Sequence, residues 1–247
     1  MAGGRAGERV HYRFAEGVGH VVLDDGKANA MQAAWLTEMN AVLDIAGADE
    51  SRALVLSGRP GFFSGGLDLK VLPRLDPDAL RATTDAFVAT MRRLFLFEKP
   101  IVAASAGHAI AGGMMLLLCA DRRLAADEGT SRYGLNEAVT GIPLTGGTLG
   151  LCTAQIPPRH HTELILHGRL VDARGARERG LVDELVARDG LLDRAFEQAR
   201  SLFDLDAVAY RLNKRLLRER AFDEAARAGA ALLDQIPGRN LFSEIAR

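Results

Sequence analysis

The chain has 247 residues, of which 48% are hydrophobic and 26% charged, with a formal net charge of −1. That length allows one large globular domain with a sizeable core, and the balanced charge removes the electrostatic basis for binding nucleic acid or a membrane surface. The two cysteines, Cys119 and Cys152, sit in apolar stretches without CxxC spacing. They read as buried thiols of a reducing compartment, with no disulfide framework and no metal site. The first ten residues, MAGGRAGERV, lack the apolar core of a secretory signal, so a cytoplasmic location is expected.

In chain order, strands are expected over Val10–Phe14 and Val18–Leu23, around the turn Glu16-Gly17. A helix over Met31–Ala46 follows, with Trp35, Met39, Val42 and Leu43 at helical spacing. Ala53–Leu56 is a short apolar strand that leads into the glycine-rich loop SGRPGFFSGG. After Pro77 a helix buries Leu80, Phe87, Val88, Met91 and Leu94. The uncharged run IVAASAGHAIAGGMMLLLCA has the length of a bilayer span. Gly107-His108 and Gly112-Gly113 interrupt it, so it reads as strand Ile101–Ala104, a glycine-rich turn and buried helix Met114–Cys119. The alternation argues an α/β core and by itself suggests a doubly wound sheet. From Leu191 the pattern is helix only. One stripe holds Leu205, Val208, Ala209, Leu212 and Leu216, with Arg211, Lys214, Arg215 and Arg218 as a solvated basic face. A second helix presents Phe222, Ala225, Ala226, Gly229, Leu232, Leu233 and Ile236. Two such narrow stripes need a surface to cover, the first domain or another subunit.

The chemistry rests on two glycine pairs and one acid. FFSGGLDLK (62–70) and HAIAGGMM (108–115) each place a Gly pair after an apolar strand. Such glycines either permit tight turns or let backbone N–H groups approach a ligand. If Gly112-Gly113 open a helix, their amides are free donors at its positive end. One donor from each loop can hold a carbonyl oxygen as it becomes negative. Glu137 lies among Leu135, Ala138, Val139 and Ile142. It reads either as a surface glutamate starting a short helix or as a dry carboxylate whose pKa rises toward neutrality, fit to take and return a proton.

Taken in order, VVLDDGKANAM, FFSGGLDLK, IVAASAGHAIAGGMMLLLCAD, YGLNEAVTGIP and RLVDARGARERGLVDELV resemble the enoyl-CoA hydratase/isomerase (crotonase) superfamily over nearly the whole chain. The resemblance implies a spiral of ββα turns in place of a doubly wound sheet. It implies a spiral core over residues 1–195 holding an acyl-CoA site, and a helical tail over 196–247 that builds trimers, often paired into hexamers. By motif matching, the oxyanion donors fall on the amides of Leu67 and Gly112, and Lys27, Ala28, Gly65 and Lys70 line the coenzyme A nucleotide. The thioester is itself the substrate, so no separate cofactor and no metal are implied.

Hydratases of that family carry two glutamates. The later one matches Glu137, but the earlier falls on Met115, which has no acid or base capacity. GLNEAVTGI is similar to the stretch around the single glutamate of mitochondrial-type 3,2-enoyl-CoA isomerases. The aspartate that dienoyl-CoA isomerases add is absent from Thr145-Gly146-Gly147. The expectation is therefore migration of a double bond from 3-enoyl-CoA to 2-enoyl-CoA by one base. A hydratase with an atypical site and a non-catalytic acyl-CoA-binding protein remain as alternatives. His160, His161 and His167 lack acids or cysteines at ligand spacing, and His108 reads equally as structural or ligand-touching.

Overall fold

The computed structural model describes residues 7–144 and 146–233; Thr145, Ile236 and the side chains of Leu232 and Leu233 lie outside the described part. The chain opens with β1 (Val10–Ala15), β2 (Val18–Leu23) and α1 (Ala33–Ala48). Three ββα turns follow: β3 (Ala53–Ser57), β4 (Gly61–Ser64) and α2 (Pro77–Phe95); β5 (Ile101–Ser105), β6 (Gly107–Ile110) and α3 (Gly112–Leu118); β7 (Arg122–Ala126), β8 (Tyr133–Gly134) and α4 (Glu137–Thr140). Then come α5 (Gly146–Gln155), α6 (Ala173–Glu178), β9 (Glu184–Val186), α7 (Leu191–Ser201) and α8 (Ala207–Leu233).

Each ββα turn gives its first strand to a six-stranded sheet, β1-β2-β3-β5-β7-β9, and its second to a three-stranded sheet, β4-β6-β8. Apart from the β1–β2 hairpin, the pairings between these strands are parallel. This is the crotonase-type spiral, and it replaces the doubly wound sheet that alternation alone suggests. The glycine-rich stretch at 107–110, expected as a turn, forms strand β6. A Cβ on Gly107 would fall 1.9 Å from the Gly61 carbonyl carbon, so only glycine permits β4 and β6 to meet there.

Both faces of the larger sheet are covered, which explains the continuous apolar runs of its central strands. Leu54, Leu56, Ile101 and Ala103 face the main core with Trp35, Met39 and Phe95. Val55, Val102, Ala104 and Leu124 face the other way and are covered by Leu191, Ala195 and Ala199 of α7. The expected boundary at 195 thus runs through a continuous helix, whose residues on both sides of it pack on the same sheet.

The tail departs from expectation in two respects. It is one 27-residue helix, not two, and two residues of its expected solvated basic face are buried. Lys214 and Arg218 are each only 6% exposed, whereas Leu216 is 80% exposed and Leu212 and Leu217 are also open. The reason is Asp121, the residue directly before β7. Its carboxylate takes Lys214 Nζ at 2.7 Å, Arg218 Nη2 at 2.9 Å and the Ile101 amide at 2.7 Å. A charge buried there requires partners, and the i, i+4 spacing of Lys214 and Arg218 supplies two from one helix face. Arg211 and Arg215 stay exposed as expected.

Candidate active site

The small sheet explains why the expected groups converge. Ser64 on β4 is in register with Ala109 on β6, and Ala109 with Tyr133 on β8. The three parallel strands therefore end at one level. Beyond their carboxyl ends, where open parallel sheets bind ligands, come Gly65-Gly66-Leu67, Ala111-Gly112 and Leu135-Asn136-Glu137. Gly65, Leu67, Gly112, Met115 and Glu137 all line one cavity. The long segment after β4, whose shape periodicity does not give, closes it: α2 starts at the cap Asp76, which accepts from the Ala79 amide at 2.8 Å, and lends Thr84, Phe87 and Val88 to the wall.

The two amides are free by construction. Around Leu67 the chain makes a parallel bridge with Met31, which donates to Gly66 O (2.8 Å) and accepts from the Asp68 amide (3.0 Å). That pairing uses the groups on either side of Leu67 and leaves the Leu67 N–H turned away, without an acceptor among the described residues. Gly112 is the first residue of α3, so its amide has no helical acceptor. The Met114 and Met115 amides take the Ala111 carbonyl instead. Two positive φ angles set this up: Gly66 at 86° and Ala111, a residue with a Cβ, at 53°. A Cβ on Gly66 would stand 2.8 Å from the Gly112 nitrogen. The donor loops therefore touch, and Ala111 carries backbone strain of the kind that collects at functional sites.

Glu137 is 6% exposed, and neither carboxylate oxygen has a hydrogen-bond partner among the described residues. Burial pushes its pKa up to about 7. The Gly141 αL cap and the Ile142 amide, which donates to the Glu137 carbonyl at 3.1 Å, close α4 after one turn. Met115, 4% exposed, offers only a thioether to the same cavity. Cys152 lies behind it on α5, its thiol driven upward by burial first and by the charge of Glu137 second, so it stays protonated.

Of the residues expected to line the nucleotide, Gly65 is in the cavity wall, and its amide donates to Ala28 O at 2.9 Å, which seats Ala28 against the same loop. Lys27 and Lys70 are exposed and do not line the cavity. The Lys27 carbonyl accepts from Arg59 Nη1 at 2.7 Å, and the Lys70 amide donates to Asp68 Oδ1 at 3.0 Å. His108 serves the scaffold: its Nδ1 accepts from the Arg132 amide at 3.0 Å and its ring packs on Phe62. Among the described residues no His, Cys, Asp and Glu cluster suited to a metal occurs, and no helix is long and apolar enough to cross a membrane. Sequence reasoning passed over Asn136, Thr84 and Thr148, all in the cavity wall; only Asn136 carried a signal, as a polar residue wedged between Leu135 and the candidate base.

A family model for enoyl-CoA hydratase/isomerase matches residues 13–235. The chain belongs to this family. Its curated relatives include a carnitinyl-CoA dehydratase from Citrobacter koseri, 33% identical over 214 residues that cover 85% of this chain and 80% of that one. A probable enoyl-CoA hydratase from Mycobacterium tuberculosis is 32% identical, covering 86% and 81%. Among solved structures, an enoyl-CoA hydratase/isomerase family protein from Pseudomonas syringae superposes with a TM-score of 0.85 at 28% identity, covering 93% of this chain and 98% of that one. Human mitochondrial delta3-delta2-enoyl-CoA isomerase superposes with a TM-score of 0.86 at 25% identity, covering 97% and 92%. The enoyl-CoA hydratase/isomerase fold is thus the frame for the site.

Proposed function

We propose that this enoyl-CoA hydratase/isomerase family member moves a double bond from C3 to C2 of an acyl-CoA thioester. The Leu67 and Gly112 amides donate to the thioester oxygen and make the C2 proton acidic. Glu137 takes that proton, the dienolate charge rests between the two donors, and the protonated Glu137 returns the proton at C4. A base with a pKa near 7 suits both halves of the cycle. The observation that carries the reading is the pairing of a buried, unpartnered Glu137 with a thioether at Met115. One acid serves a proton shuttle, whereas adding water asks for a second group to activate it. No cofactor beyond the thioester enters this scheme.

The second reading is hydration or dehydration, favoured by the names of the relatives that are 32–33% identical. Incubating the purified protein with 3-hexenoyl-CoA and with crotonyl-CoA separates the two. Conversion of the first to 2-hexenoyl-CoA with little hydration of the second is expected; the reverse pattern would overturn the proposal. Tight acyl-CoA binding without turnover of either would identify a non-catalytic binder.

Lys27, Ala28, Gly65 and Lys70 are proposed to carry the coenzyme A nucleotide, the two exposed lysines through their charge. Lys27→Ala with Lys70→Ala should raise KM for the CoA thioester about tenfold at low salt, with less effect at high salt. KM for the matching N-acetylcysteamine thioester, which has no nucleotide, should stay within about twofold. Equal losses on both thioesters would rule the assignment out. The open Leu212, Leu216 and Leu217 of α8 are the proposed contact through which copies of the chain form a homotrimer or hexamer in the cytoplasm.

A further inference from the structure

We propose that the acyl chain accepted by this site carries a hydroxyl group just beyond the reacting carbons, and that the Asn136 side chain recognises it. The inference rests on the acyl-thioester reading of the cavity and adds the chemical class of its acyl group.

Asn136 holds the N-cap position of α4, directly before Glu137. Asparagine at an N-cap ordinarily accepts from an amide of the first helical turn. Here the side chain makes no cap bond. Its Oδ1 is buried with no partner among the described residues, and Asn136 lines the same cavity as Glu137. A buried carbonyl oxygen left unpaired is unfavourable, and the local alternative that would satisfy it is not taken. The oxygen therefore awaits a donor that arrives with the ligand.

Two hydroxyls of the cavity point to the same kind of ligand. Thr84 and Thr140 also line it. Thr84 Oγ1 donates to Arg81 O at 2.9 Å, and Thr140 Oγ1 to Glu137 O at 3.2 Å. Each hydroxyl proton is spent on backbone, so what remains is lone pairs. The Leu67 and Gly112 amides, the free donors described above, are reserved for the thioester oxygen. A plain hydrocarbon chain would leave Asn136 Oδ1 unmatched, whereas a hydroxyl satisfies it. An ammonium group fits less well, since its charge beside Glu137 would hold the carboxylate ionised and weaken it as a base. Asn136 and Glu137 share the cavity wall, and the hydroxyl is placed at C5 or C6, next to the carbons assigned to Glu137.

Binding separates this inference from the reaction assigned above. Calorimetry with two saturated ligands, hexanoyl-CoA and 5-hydroxyhexanoyl-CoA, requires no turnover. The hydroxylated ligand is expected to bind at least about tenfold tighter, in keeping with sites built to hydrogen-bond a hydroxyl. Asn136→Leu should bring the two affinities within about twofold of each other while hexanoyl-CoA binds as well as before or better. Asn136→Ala serves as the second variant if the leucine disturbs α4. Equal wild-type affinities, or a preference that survives in both variants, would overturn the inference. A preference abolished in the variants, in a protein that isomerises no 3-enoyl-CoA, would sustain this inference and sink the isomerase reading instead.

Discussion

Glu137→Gln is expected to lower kcat for double-bond migration by about 10²–10⁴-fold, the usual contribution of a positioned general base, with substrate binding largely retained because the shape is kept. The same change should alter how stability depends on pH. Burial raises the Glu137 pKa from 4.5 to about 7. The folded state therefore binds the proton more tightly than the unfolded chain. Between those two values the unfolded chain has released its proton while the folded one retains it, so stability falls as pH rises through this window. A shift of that size corresponds to roughly 3 kcal/mol. Gln does not titrate, so its own desolvation penalty is constant with pH. Urea unfolding at about pH 4 and pH 8 should show the wild type losing roughly 3 kcal/mol relative to the variant across that interval. The wild-type rate should rise with pH through about 7 and then level off, since only the ionised carboxylate takes a proton. An undiminished rate in the variant would remove Glu137 from the mechanism. A parallel pH response of the two proteins would mean that the side chain is solvated after all.

How much of this was legible in the sequence depends on the range of the interaction that decides each feature. The early elements β1, β2, α1, β3, α2, β5 and α3 follow from local periodicity, and the donor loops from glycine pairs, whereas β4 lies inside the stretch read as a loop. Glu137 was readable because it stands among apolar residues, of which Leu135 is buried and Ile142 shares the cavity wall, although Val139 turns out to solvent. The strand β6 was not, since glycine and histidine give no strand signal. It forms because β4 and β8 lie on either side of it and accept its ladder. The burial of Lys214 and Arg218 on α8 is not legible for a related reason. A helical stripe of leucines beside a stripe of arginines normally buries the leucines. The outcome turns on Asp121, 93 residues away from Lys214, a partner that no window of sequence around α8 contains. The surface lysines Lys27 and Lys70 came from motif matching alone, and the fold places both outside the cavity lining. The Asn136 side chain, by contrast, needed coordinates, because its significance lies in a cap bond that it does not make.

The Asp121 carboxylate leads to the second large effect. Asp121→Ala is expected to destabilise the protein by about 3–5 kcal/mol, the range found when one partner of a buried ion pair is removed. The charges around Asp121 are not balanced one to one: a single carboxylate faces two cations, each 6% exposed. Arg218 has further support, donating to Phe95 O at 2.9 Å and Cys119 O at 3.1 Å, with its guanidinium 4.7 Å over the Phe95 ring. Lys214 has less. Burial lowers its pKa, and Asp121 is the main influence in the other direction. Removing Asp121 strands both cations, whereas Lys214→Met leaves a matched Asp121–Arg218 pair and an apolar stem of similar length. The methionine variant should therefore lose well under half of what Asp121→Ala loses, as measured by urea unfolding. The damage should reach the active site, because α8 is the surface against which α5 lies. A Cβ on Gly146 would sit 2.1 Å from Ala225 O, and one on Gly150 would sit 2.3 Å from Ala221 O, so the two helices meet backbone to backbone. Helix α5 in turn carries Thr148 into the cavity wall. If α8 loosens, kcat/KM should fall in Asp121→Ala at temperatures where the rest of the protein is still folded, while Lys214→Met stays near wild type. A smaller loss of stability in Asp121→Ala than in Lys214→Met would show that charge balance does not hold α8 in place.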